Sequence, residues 1–86
     1  MDYSKSVLNR IKRAEGQLKG ILRMMEDGQS CERVVTQLSA VQGALDRAVG
    51  IVVSENLEQC IRRSLENNEA TEDLVEEAVK LLVKSR

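Results

Sequence analysis

The 86-residue sequence has no histidine, no proline, no tryptophan and no phenylalanine, and one tyrosine, Tyr3. Without histidine it lacks the commonest general base and the commonest metal ligand, so enzymatic turnover is the least favoured class. Without proline, and almost without aromatics, it is poor material for a β-sandwich or barrel. Two cysteines, Cys31 and Cys60, are too few for a secreted disulfide scaffold. Long apolar runs are also missing. The longest, Ala48–Val53, has six residues counting Gly50, which is too short for a membrane span or a signal-peptide core. The expected location is the cytoplasm, without membrane attachment, where a retained thiol pair is more often reactive or metal-binding than structural.

What remains is 42% hydrophobic and 31% charged, dominated by residues that favour helices, so the expected class is all-α. A chain this short buries only roughly two-thirds of its unfolded surface, and self-association is the natural remedy. The net charge of -1 conceals an asymmetry: residues 1–23 hold six basic and two acidic residues, whereas residues 24–86 hold seven basic and twelve acidic ones.

Hydrophobic periodicity predicts three helices in one domain spanning residues 1–86. In the first, at about residues 4–27, Val7, Ile11, Ala14, Leu18, Ile21 and Met25 alternate spacings of four and three, with Leu8 and Leu22 widening the stripe. Gly28 is the expected left-handed stop. The second, at about 30–66, begins at Ser30 as N-cap and carries Val34, Leu38, Val41, Leu45, Ala48 and Val52, continued by Val49, Val53, Leu57 and Ile61. The third, at about 71–84, is capped by Thr71 and has Glu72 and Asp73 in its first turn. Leu74, Val75, Ala78, Val79 and Leu82 form its expected apolar face, and Lys84 with Arg86 complement its C-terminus. The second helix would be about 55 Å long against about 35 Å for the first, so one short helix cannot cover it.

Cys31 and Cys60 are 29 positions apart on that long helix, about 43 Å, and a straight helix cannot bring them together. An antiparallel copy can. A two-fold axis pairs residues whose numbers share one sum, 91 for this pair, which places the axis beside Leu45 and Asp46. The implied assembly is an isologous dimer with a Cys31–Cys60 site at each end. Three readings of the thiols stand side by side. They are buried core residues, or a reactive pair, or ligands for Cu(I) or Zn(II). For the reactive pair, Cys31 lies in a first helical turn that favours the thiolate, Cys60 is the resolving partner, and Arg62 and Arg63 lie close by.

In the first helix Lys5, Lys12 and Lys19 repeat at seven, with Arg10, Arg13 and Arg23 extending the basic surface. Phosphate binding explains such an excess more economically than a solvated face or a membrane surface.

The run Leu8-Asn9-Arg10-Ile11-Lys12-Arg13-Ala14-Glu15-Gly16-Gln17-Leu18-Lys19-Gly20-Ile21, then Met24-Met25-Glu26-Asp27-Gly28, Cys31 and Gln37-Leu38-Ser39-Ala40-Val41, resembles the CsoR/RcnR family of bacterial transcriptional repressors. That resemblance implies an antiparallel four-helix-bundle dimer built from helices 1 and 2, a dimer of dimers, and operator DNA as partner. By motif position it implies Arg10, Arg13 and Arg47 as DNA-binding residues, to which charge alone adds Lys5, Lys12 and Lys19. Copper sensors of the family carry histidine four residues before the second cysteine, where this chain has Asn56. Two cysteines and no imidazole resemble the persulfide-sensing, CstR-like branch. The implied inducers are low-molecular-weight persulfides or polysulfides, which bridge Cys31 of one protomer to Cys60 of the other through a di-, tri- or tetrasulfide. Ser30, Asn56 and Glu76 are the expected supporting residues around the thiols, with no resident cofactor or metal. The alternative within the family is a Cu(I) sensor using the two thiolates.

Overall fold

Three helices, α1 (Lys5–Glu26), α2 (Cys31–Glu66) and α3 (Glu72–Lys84), make up the secondary structure of this computed structural model, which describes residues 1–85. Arg86, expected to complement the end of the third helix, lies outside the described residues.

Local chemistry sets the boundaries. Ser4 accepts a hydrogen bond from the Val7 amide (3.2 Å) and starts α1. Gly28, at φ 72°, ends it: the Gly28 amide donates to the Met25 carbonyl and the Gln29 amide to the Met24 carbonyl. That pair of reversed bonds is a Schellman stop, and it needs a residue that tolerates the left-handed region. The same device closes α2, with Asn68 at φ 56° and amides of Asn68 and Glu69 donating to the carbonyls of Leu65 and Ser64. At the start of α2, Ser30 accepts from the Arg33 amide at 3.3 Å. Thr71 stands at the N-cap of α3, but its side chain makes no capping bond; its carbonyl instead accepts from the amides of Leu74 and Val75.

The chain forms two compact units. In Ser4–Ala48, α1 and the first part of α2 make an antiparallel hairpin. Its buried residues are Val7, Ala14 and Ile21 on α1 and Val34, Val41 and Ala48 on α2, each set spaced by seven. Ile21, Val34 and Val41 form the central cluster, with Met24 against it. Only half of each apolar stripe is therefore buried. Ile11, Leu18, Leu38 and Leu45 are 45%, 42%, 38% and 40% exposed, because a single helical neighbour covers one side of a heptad seam and leaves the other open.

The second unit comprises Met1–Tyr3 and the chain from Val49 onward. Val53, Ser64 and Ala78 are buried there, and the Gln59 side-chain amide donates to the Asp2 carbonyl at 3.1 Å. On α3 the expected apolar face is covered only in part. Ala78 is buried and Leu74 half-buried, and with Leu81 they line a small cavity with α2, whereas Val75, Val79, Leu81 and Leu82 keep 40% or more of their surface exposed, since a single neighbouring helix can cover only one side of α3.

Candidate DNA-binding and thiol sites

In the hairpin unit the helical period brings Arg10, Arg13 and Gln17 of α1 to one side and Ala40, Ala44 and Arg47 of α2 to the facing side. Together with Ala14 they line a cavity of about 260 Å³. The alanines leave the space and the arginines rim it; Arg47 lies over Gly43, where an added Cβ would sit 3.6 Å from its Nη1. Among the described residues the ion pairs are Arg62–Glu58 and Lys80–Glu76, so none of these three arginines is neutralised by a carboxylate. Uncompensated guanidinium groups around a polar hollow suit phosphate oxygens, which they bind in a bidentate fork.

All three residues expected from motif position thus meet at one cavity. The lysines do not join them. Lys5, Lys12 and Lys19 are exposed and none lines this cavity. At about 100° per residue, Lys12 lies about 200° around α1 from Arg10 but about 100° from Arg13, so the lysine stripe flanks the arginine cavity without entering it.

Cys31 is the first residue of α2 and is exposed. It heads a row with Val35, Leu38 and Leu45, at offsets of four, seven and fourteen, which are 52%, 38% and 40% exposed. The thiol therefore sits on the open half of the apolar seam, beside the capping Ser30.

Cys60 is half-buried, and its thiol donates to the Asn56 side-chain carbonyl at 3.7 Å. The cavity beside it is about 20 Å³, roughly one water, and is lined by Asn56, Leu57 and Cys60 from α2 and by α3 residues that include Glu77. Glu76, expected beside the thiol, points instead to Lys80 at 3.5 Å in an exposed pair. Glu77 is the acidic residue at this cavity, a one-residue difference that only the true phase of α3 reveals. Arg62, expected near the thiol, is held by Glu58 at 2.7 Å. Glu55 keeps one carboxylate oxygen buried without a hydrogen-bond partner. Among the described residues no three His, Cys, Asp or Glu side chains converge on a metal-binding position.

The family model for metal-sensitive transcriptional repressors matches residues 3–84. The chain belongs to that family. It is a member of a repressor family and not an enzyme, and its three-helix fold is that of CsoR structures. YrkD of Bacillus subtilis (strain 168), an uncharacterized protein, is 62% identical over 63 residues, 73% of this chain and 100% of YrkD. The copper-sensing transcriptional repressor CsoR of Mycobacterium ulcerans (strain Agy99) is 46% identical over 59 residues, 69% of this chain. The match spans half, 50%, of that CsoR. Among solved structures, the nickel-responsive transcriptional regulator InrS superposes with a TM-score of 0.76 at 28% identity, covering 96% of this chain and 92% of InrS. The copper-sensing repressor CsoR with Cu(I) from Geobacillus thermodenitrificans NG80-2 gives 0.78 at 24% identity, covering 98% and 91%, a likeness of fold. Among the described residues no helix is long and apolar enough to cross a membrane.

Proposed function

We propose that this chain is a cytoplasmic, homo-oligomeric repressor that holds operator DNA through Arg10, Arg13 and Arg47 and releases it when persulfides link Cys31 of one protomer to Cys60 of another. Membership of a repressor family supports operator binding in general, and the arginine cavity supports these residues in particular. The observation that carries the choice of inducer is the environment of Cys60: its thiol is held by the amide of Asn56, in a chain with no imidazole. The open seam headed by Cys31 supports a second copy as the source of its partner.

The chemistry balances without an added oxidant, because sulfane sulfur is itself the electron acceptor. The Cys31 thiolate attacks the terminal sulfur of a persulfide, RSSH, giving Cys31–SSH and releasing RS⁻. The Cys60 thiolate then attacks the Cys31 sulfur and expels HS⁻, leaving a disulfide. A second sulfur transfer before capture gives a trisulfide, and a third a tetrasulfide. Bridging draws two protomers into one conformation, and repression ends when that conformation binds DNA poorly.

The test is to treat reduced protein with a persulfide donor, record intact masses, and measure DNA binding. Sulfur additions, bridged dimers and DNA release are expected; unmodified protein still bound to DNA overturns the reading. The copper-sensing names of several relatives favour a second reading, Cu(I) held by the two thiolates. Anaerobic Cu(I) titration against a strong chelator separates the two, because tight stoichiometric binding with DNA release belongs to copper alone.

A further inference from the structure

A second cavity of the hairpin unit, about 300 Å³, lies at the turn end and is lined by Met24 of α1 and by Gln29, Glu32, Arg33, Thr36 and Gln37. Its lining differs in kind from the arginine cavity. Two amides, a carboxylate, a hydroxyl and one guanidinium offer both donors and acceptors. Such a set discriminates hydrogen-bonding patterns and is a poor simple anion trap.

The two cavities share one face of α2. Arg33 and Gln37 line the second, Ala40, Ala44 and Arg47 line the first, and their spacings of four, three, four and three make a single helical stripe. On α1, Gly20 falls on the matching stripe between Gln17 and Met24, and a Cβ built there meets nothing within 4 Å. At that point α1 raises no wall between the cavities. Arg33 and Arg47 are fourteen residues apart, about 21 Å along the helix. That equals about six base-pair steps of duplex DNA.

We infer that the turn-end cavity reads base edges of the operator, with Arg33 as its principal contact, while the Arg10–Arg13–Arg47 cavity holds the backbone. The inference rests on the operator-binding reading above and adds the seat of sequence preference. The division of labour follows from chemistry: uncompensated arginines position a protein on phosphates, whereas arginine, glutamine and glutamate side by side match guanine, adenine and cytosine edges. A small zwitterionic thiol is a poorer match for this cavity, because Cys31 lies about 200° around α2 from Arg33.

The test uses full-length reduced protein and two DNA probes: a duplex selected by the wild-type protein from a randomised library, and a shuffled duplex of equal length. Arg33→Gln is expected to weaken the selected duplex about tenfold while shuffled DNA changes less than twofold. Arg47→Gln is expected to weaken both and to flatten the salt dependence. Arg62→Gln, which removes an equal charge at the exposed pair with Glu58, is expected to match wild type. Circular dichroism checks each fold, and Arg33→Lys, which keeps charge and volume but loses the fork, is expected to lose preference as well. An Arg33→Gln protein that keeps its preference, or loses both duplexes equally, overturns the inference while Arg47→Gln still upholds operator binding. A wild-type protein that selects no duplex, or an Arg47→Gln protein with unchanged affinity, overturns the operator reading itself.

Discussion

Asn56 is four residues before Cys60, one helical turn away, and its side-chain carbonyl takes the thiol hydrogen. An amide can hold a thiol in place but adds no soft nitrogen to the two sulfurs. Replacing it by histidine supplies one, so Asn56→His is expected to tighten Cu(I) binding at least tenfold in a chelator competition. The cysteines are expected to separate in role. Cys60→Ser should accumulate sulfane sulfur on Cys31 without a bridged dimer, and Cys31→Ser should show neither product by intact mass. The sequence made both thiols legible because residue identity alone distinguishes them, and Asn56 through its place in the family resemblance. Motif position pointed to Glu76 and missed Glu77 at the cavity, since neighbouring residues differ by about 100° around a helix and only the contact of α3 with α2 fixes that phase.

The ends of α1 and α2 are written in short-range chemistry, which is why they could be read in advance. Ser4 and Ser30 accept backbone amides, and Gly28 takes the left-handed conformation that a side chain resists. Ser4→Ala is expected to lower stability by about 1 kcal/mol in chemical denaturation. Gly28→Ala is expected to cost about 1 kcal/mol by the same measurement, because alanine pays for the φ that glycine adopts freely. Helix faces were less legible than helix ends. A seven-residue spacing of Lys5, Lys12 and Lys19 looks like an extension of the arginines until the period is followed around the cylinder, where the lysines fall outside the arginine cavity. The third helix shows the same effect, as five apolar residues cannot all face one neighbour and Val75, Val79 and Leu82 stay exposed.

For the molecule as a whole, the apolar repeat is the most informative element of the sequence, and its two halves have different fates. One residue per heptad is buried within the hairpin; the other is left outside, in rows that include Ile11, Leu18, Leu38 and Leu45. The proposed two-fold axis beside Leu45 gives that second row its cover. Leu45→Glu places a charge there, and it is expected to shift the protein toward monomer in sedimentation velocity and to abolish bridging of Cys31 to Cys60. Cys31→Ser serves as the contrast, losing the bridge while keeping the assembly.

Covered by a second copy as proposed, the half-open seam would also tie the protein's lifetime to its abundance. A chain that completes its core only on meeting a copy of itself gains stability from its own concentration. Newly made chains at low copy number spend longer with their leucines uncovered, and open chains are what proteases degrade. With the proposed dimer, repressor supply would be disciplined by turnover as well as by synthesis: scarce protomers would be cleared and paired ones would persist.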